Sequence, residues 1–203
     1  RQVKKLEDAI QSRGIYLSMC KLRDYPELFY PYSWDFRGRA YCRCVTSPSP
    51  QGADYSKALL KFAVEHPLDN RSKHYLSIEL ANNAGQDKLN FDQRLKWTAA
   101  NEANITLVAT MLEDDGDFSR ALSFLESIAK ENPWQFIAAA EEYYRCFIKK
   151  DRHTTSIRCG MDMSCSGAGL MAGIRRCKTG AILVNVYPTN EPQDLYRACW
   201  DAL

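Results

Sequence analysis

From residue 56 to residue 148 the chain reads as one helical stretch after another, and sequence of strand character lies on either side. Apolar spacing predicts helices over 56–64, 71–83, 91–111, 118–130 and 133–148. Asp92 can cap the third. Asn132 can cap the last, which then has Pro133 at its first position. Before this block, residues 35–45 have the β-branched, aromatic and alternating character of a strand, and "TSPSPQGAD" (46–54) is a loop. After it, residues 151–161 read as extended and "AILVNV" (181–186) as a buried strand. Strand, helical block and strand again imply a helical module inserted into a small sheet. The expected fold class is therefore α+β, mostly helical. Further helices are predicted over 2–12, with Gly14 as a stop, over 15–22, in a short turn-helix at 165–177, and from Asn190 onward with Pro192 in the first turn.

Composition narrows the class without naming a partner. The 203 residues are 45% hydrophobic and 26% charged, enough for a sizeable core in one large domain or two small lobes. With a formal net charge of +2, a nucleic-acid surface would have to be a local patch. The eight cysteines contain no C-x-x-C pair, so zinc-site spacing is absent, and they read as reduced thiols of a cytosol-like compartment. No apolar run reaches the roughly 18 residues of a membrane helix, and no signal peptide opens the chain. Both ends read as helix, as expected of a slice of a longer polypeptide.

Three segments could carry chemistry. In "YPYSWDFRGRAY" (30–41), Arg37 and Arg39 lie two apart and would share one face of a strand beside Asp35, with Phe36 on the other face. A basic pair among aromatics suits a polyanionic backbone with stackable bases; a surface strand with an Asp–Arg pair is the plainer alternative. In "RCGMDMSCSGAGLMAG" (158–173), Asp162 ends an extended stretch and small residues follow. Such a carboxylate can hold a divalent cation, or simply cap the next helix. In "ANNAGQDKLNF" (81–91), Lys88 stands beside a helix start, where it can meet a phosphate or remain a solvated turn lysine. His66, His74 and His153 are far apart, and no Walker loop, Rossmann fingerprint or Ser-His-Asp order is present.

Together these segments resemble the single-subunit DNA-dependent RNA polymerases of phages and mitochondria. "PYSWDFRGRAY" is similar to the D-x-x-G-R segment of that family, and "PQGADYSKALL" to the segment that follows it. "ANNAGQDKLNFDQRLKW" resembles the stretch whose Asp-Lys offers a lysine to the incoming triphosphate. "NPWQFIAAAEEY" resembles the helix before the active-site strand, "MDMSCSG" motif A, and "VYPTNEPQDLYRACWDAL" the start of the fingers. The likeness covers about residues 30–203.

The resemblance implies a partial polymerase palm with antiparallel strands. Residues 1–29 would be a helical lead-in from the thumb side, 30–60 the first part of the palm and 61–150 a helical insertion. Residues 151–178 would be the second part of the palm with motif A, and 179–203 the start of the fingers. It further implies that Asp162, with the backbone carbonyl of Met163, binds catalytic Mg2+, and that Lys88 touches the triphosphate. Ser166 and Gly167 would lie against the growing RNA end, and Arg37, Arg39, Phe36 and Lys57 would contact nucleic acid. The partners implied are a DNA template, RNA product, NTPs and the remainder of the polymerase chain, with no membrane. The setting implied is the cytoplasm of an infected host cell or, alternatively, the mitochondrial matrix.

Three features depart from the family pattern. The family continues S-G-x-Q-H where this chain has Gly169 and Leu170, and its usual glycine after the aspartate is Met163. Neither R-x-x-x-K-x-x-x-F-G-x-x-Y-G nor H-D-S occurs. The second metal-binding carboxylate and the fingers lysine and tyrosine are thus missing, and the isolated chain is expected to be inactive. The alternative functions are a non-catalytic nucleic-acid-binding remnant and a piece of a family-A-like DNA polymerase.

Overall fold

The helical block supplies the core. A computed structural model of the chain describes residues 2–36, 38–44, 47–113, 116–160 and 164–202. Within it α1 spans Gln2–Leu22, α2 Asp54–Ala58, α3 Ser72–Asn83, α4 Phe91–Ala100 and α5 Glu102–Ala109. Then come α6 Phe118–Ile128, α7 Pro133–Tyr143 with a π-helical extension at Tyr144–Ile148, α8 Ser166–Ile174, α9 Lys178–Leu183 and α10 Leu195–Asp201. Leu76, Leu80 and Ala84 recur every four residues along α3, and Phe136, Ala139, Ala140 and Tyr143 form the matching stripe of α7. Ile105 and Val108 of α5 and Ala121 and Leu125 of α6 complete the cluster. Burying each of the larger side chains contributes roughly 1.5–3 kcal/mol, and this cluster is where the helices of the block cohere.

Two small antiparallel sheets flank it. Strand β1 (Tyr32–Trp34) pairs with β2 (Ala40–Cys42), with Ser33 opposite Tyr41. Strand β3 (His66–Pro67) pairs with β4 (Thr154–Thr155), with His66 opposite Thr155. The second ladder joins the chain just before the helical block to the chain just after it. The result is a mostly helical α+β arrangement. No helix among the described residues is long and apolar enough to cross a membrane.

Several local expectations are corrected. The single strand expected over 35–45 is interrupted: Asp35 and Gly38 make a turn, and among the described residues of that run only Ala40–Cys42 are strand, paired with Tyr32–Trp34. Residues 181–186 are not a strand: α9 runs to Leu183, and only Val184 of that run is buried. Short apolar runs read equally well as strand or helix, and here Cys177 Sγ accepts the Gly180 N–H at 3.4 Å and starts a helix. The helix expected over 56–64 ends at Ala58, because Phe62 N–H turns away to the Ser156 carbonyl at 2.8 Å. The helix expected over 91–111 breaks at Asn101, whose side-chain amide donates to the Trp97 carbonyl at 2.9 Å in competition with the backbone. Its cap is Asn90 rather than Asp92, through a reciprocal box with Gln93. Conversely, α1 runs through Gly14 without a stop, and α10 begins only after Asp194, which caps it.

Candidate active site

The D-x-x-G-R segment is a turn that presents Arg39. Asp35 N–H donates to the Arg39 carbonyl at 3.0 Å, and Gly38 N–H donates to the Asp35 carbonyl at 3.0 Å. The Asp35 carboxylate accepts the Arg39 backbone N–H at 2.9 Å. Gly38 has φ +76°, a conformation glycine adopts without steric cost. The aspartate therefore shapes the loop backbone. At its tip Phe36 is 96% exposed. Arg39 is exposed at the entry to β2. Arg37 lies outside the described residues.

Helix α2 links this hairpin to the segment that leads toward Asp162. Gln51, just before α2, donates its amide to the Ala40 carbonyl at 2.7 Å and accepts the Cys42 N–H at 2.6 Å. Half-buried Lys57 lines a cavity of about 660 Å3 with Tyr41, Cys42 and Ile15. On its other side, the Lys57 carbonyl accepts Arg158 Nη2 at 2.7 Å, and the Leu60 carbonyl accepts Arg158 Nε at 3.3 Å.

Two buried carboxylates hold the same incoming segment from the helical block. Glu142 on α7 is 1% exposed. It accepts from Lys61 Nζ at 2.9 Å, Arg152 Nη1 at 2.8 Å and Thr155 Oγ1 at 2.7 Å. Burial pushes its pKa up, but the bonds from Thr155 and Lys61 and the nearby cations outweigh this and hold it below the usual carboxylate value. Glu79 on α3 accepts Asn83 Nδ2 at 3.1 Å and the Gly160 N–H at 3.1 Å. There burial wins, and the carboxyl is pushed up.

Lys88 belongs to a separate loop, reached at the end of α3 through Gly85, which has φ +74°. Its side chain is 91% exposed, and its ammonium lies 3.1 Å from Asp87 Oδ2. Arg94 braces the loop by donating to the carbonyls of Asp87 and Leu89 and to Asn82 Oδ1. No hydrogen bond or ion pair among the described residues ties Lys88 to the hairpin or to residues 155–160. Helix α3 is the element they share, through Glu79 in its body and Asn82 at its end. Ser166 opens α8 and is exposed. A Cβ placed on Gly167 would meet nothing within 4 Å, so open space lies in front of it. Of the family-pattern departures, Gly169 is buried and Leu170 is 65% exposed.

Asp162 and Met163 lie outside the described residues. Among the described residues no group of three His, Cys, Asp or Glu side chains could hold a metal ion. The structure thus brings Lys57, the hairpin and the approach to Asp162 to neighbouring positions and leaves Lys88 on its own loop. Glu79, Glu142, Arg158 and Arg94 are the organising residues that sequence reasoning missed. Only the strand-like segment before Asp162 hinted at a need for anchors.

A model of the DNA-dependent RNA polymerase family matches residues 66–203, more than half of the chain. The chain belongs to this family. It is 29% identical over 199 residues to T7 RNA polymerase of Escherichia phage T7, which covers 96% of this chain and 21% of the relative. It is 30% identical over 181 residues to a DNA-directed RNA polymerase of Enterobacteria phage K11, covering 89% of this chain and 19% of that one. It is 29% identical over 192 residues to a mitochondrial DNA-directed RNA polymerase of Mus musculus, covering 93% and 15% respectively. The chain therefore spans about a fifth or less of the length of these relatives.

Proposed function

We propose that the chain is the part of a DNA-directed RNA polymerase that presents the first catalytic carboxylate, within an enzyme that extends RNA 3′ ends on a DNA template. The observation that carries this reading is the Arg158 clamp. It ties the segment entering Asp162 to the backbone of Lys57 and Leu60, and Lys57 lines the cavity beneath the D-x-x-G-R hairpin. Residues 30–60 and 151–178 are then palm, 61–150 the helical insertion closed by the β3–β4 ladder, 1–29 a thumb-side lead-in and 179–203 the start of the fingers.

In the reaction the RNA 3′ hydroxyl oxygen bonds to the α-phosphorus, the bond to the β-phosphate oxygen breaks, and pyrophosphate leaves. Arg39, Arg37 and Lys57 hold the nucleic-acid backbone as cations, and Phe36 offers a ring for base stacking. Lys88 meets the triphosphate as a point charge. The open space before Gly167 admits the growing end beside Ser166. The Asp162 carboxylate and the Met163 carbonyl are oxygen donors of the kind a hard dication takes, and they fit Mg2+ as half of a site. Bound magnesium supplies Lewis acidity to the attacking hydroxyl and the leaving pyrophosphate. The H-D-S pattern that would bring the second carboxylate does not occur in the sequence, so the 203 residues alone are expected not to turn over. The enzyme would work in the cytoplasm of a phage-infected cell or in the mitochondrial matrix.

Template-directed RNA extension by the complete polymerase tests the reading. Asp162→Ala should abolish extension with Mg2+ while leaving template binding. Undiminished extension by that variant removes the metal assignment, and turnover by the isolated chain removes the claim that the site is partial.

A further inference from the structure

The far end of the β1–β2 hairpin carries two thiols on one face. Cys42 pairs with Tyr32 in the ladder. The Arg43 N–H donates to the Pro31 carbonyl at 2.9 Å, so the same register runs one step further and sets Cys44 opposite Tyr30. Side chains two apart on a strand point the same way, so the thiols stand side by side with Tyr30 facing them. Both cysteines are half-buried and line the cavity of about 660 Å3 beneath the hairpin, together with half-buried Lys57. Cys20, Cys159, Cys177 and Cys199 are exposed, and Cys146 is buried. Same-face neighbours on a strand lie roughly 6.6 Å apart. A disulfide needs Cβ atoms within about 4.5 Å, so a direct bond would kink the strand. Two metal–thiolate bonds of about 2.3 Å in line span about 4.6 Å between sulfurs, which the two side chains reach by leaning together. The Tyr30 hydroxyl is a second, independent observation. It is buried and finds no hydrogen-bond partner among the described residues, a state in which few buried polar groups are left. Burial raises its pKa, and the Cys44 and Cys42 thiols beside it add to the rise, so near neutral pH it is a donor. A thiol is a weak acceptor and a thiolate a strong one. The hydroxyl therefore gains a good partner when the pair loses its protons, as thiols do on coordinating a metal.

We propose that Cys42 and Cys44 form a two-thiolate site for a soft monovalent cation, Cu+, held in linear coordination. Binding breaks two S–H bonds, forms two Cu–S bonds and releases two protons to solvent. The bound unit keeps one net negative charge, which the Lys57 ammonium in the same cavity offsets, and the Tyr30 hydroxyl donates to a sulfur. The cavity supplies the entry path. Thiolates select soft ions, whereas Mg2+ takes oxygen ligands, so this site does not compete for the metal of the polymerase reaction. The inference does not depend on the function proposed above.

The test titrates the complete polymerase, reduced and metal-free, with Cu+ buffered by bicinchoninate. The parent should take up one equivalent of Cu+ more tightly than any further one. Cys42→Ser and Cys44→Ser should each abolish that tight equivalent, and Cys199→Ser, which removes an exposed thiol elsewhere, should leave it unchanged. Tyr30→Phe should weaken it by about tenfold, the loss expected when a partner behind a metal ligand is removed. X-ray absorption at the copper edge, on the parent loaded below one equivalent, should show two sulfur neighbours and no further ligand. Tight binding that survives both serine variants, or that is lost with only one of them, overturns the proposal. A third ligand at copper also overturns it, and because that measurement uses the parent it decides the matter even where a serine variant fails to fold. Unchanged affinity in folded Tyr30→Phe overturns the donor role of the hydroxyl.

Discussion

Asp54 caps a helix that begins with Pro133, and its contact with Gln135 spans 81 residues of sequence: Oδ1 accepts the Gln135 backbone N–H at 3.2 Å and its side-chain amide at 3.0 Å. Oδ2 accepts the Trp134 N–H at 2.7 Å. Asn132 occupies the cap position of α7 but makes no capping bond to the backbone. A carboxylate from α2 therefore neutralises the free donors and the positive end of α7, and it docks the hairpin side of the molecule onto the helical block.

Asp54→Ala should destabilise the fold by about 1 kcal/mol, and Asp54→Asn by less, since an asparagine oxygen still accepts. Denaturant titration monitored by circular dichroism reads the difference. Equal stability of Asp54→Ala and the parent would mean that water caps α7 as well as the carboxylate does.

The proposed nucleic-acid role of the hairpin predicts that charge and stacking can be separated. Arg39→Ala in the complete polymerase should lower the slope of log template affinity against log salt by about one unit, because one phosphate contact releases about one counterion. Phe36→Ala should cost about 1–3 kcal/mol of affinity for single-stranded template with no change in slope. Gly38→Ala, at φ +76°, should cost about 1 kcal/mol of hairpin stability through backbone strain. Anisotropy titrations across a salt series measure the two affinities. A slope unchanged by Arg39→Ala would place that guanidinium away from phosphate.

Much of the helical block was legible because its signals are local. The four-residue recurrence of Leu76, Leu80 and Ala84 and Pro133 at the first position of α7 need no tertiary information, whereas the cap expected from Asn132 is supplied by Asp54. Some of what failed was decided at a distance, and some by local side-chain contacts such as Asn101 to Trp97 and Cys177 to Gly180. Nothing near Ala58 says that the chain will leave the helix there to pair with Ser156. The hairpin turn was readable from Asp35 and Gly38, but the alternation of aromatics and arginines outweighed that cue. In the site, the exposed residues at the motif positions could be named from the sequence. Glu79 and Lys61–Glu142 could not, because a helical glutamate is by default solvated and these find partners 81 residues away.

Cysteine reactivity should divide by burial. Burial and the neighbouring Glu142 charge push the Cys146 thiol up to about 11. Since the thiolate is the nucleophile, Cys146 carries about a hundredfold less of it near neutral pH than a thiol at 9. Cys20 and Cys199 are exposed. Brief alkylation followed by mass spectrometry should label Cys20 and Cys199 and spare Cys146 until the chain is unfolded. Early labelling of Cys146 would show that α7 opens locally around it.

Acid should loosen the block through Glu142. Its folded-state pKa lies below the ordinary value of 4.5, because Thr155, Lys61 and Arg152 together outweigh burial. Between the two values the unfolded chain binds more protons, so stability rises with pH there. The stabilisation is fully present above about pH 4.5 and is lost as pH falls through the lower folded value. Asp69, held down first by the Ser72 hydroxyl, shifts in the same direction. The contrast with a variant is therefore what isolates Glu142. Glu142→Gln should be less stable near neutral pH by about 3 kcal/mol, the lower end for breaking a buried pair, because Lys61 and Arg152 can still reach water. It should also lose less further stability than the parent between about pH 5 and about pH 3. Thermal melts of both proteins across that range measure it, and parallel melting curves would show that the Glu142 cluster is not what acid breaks.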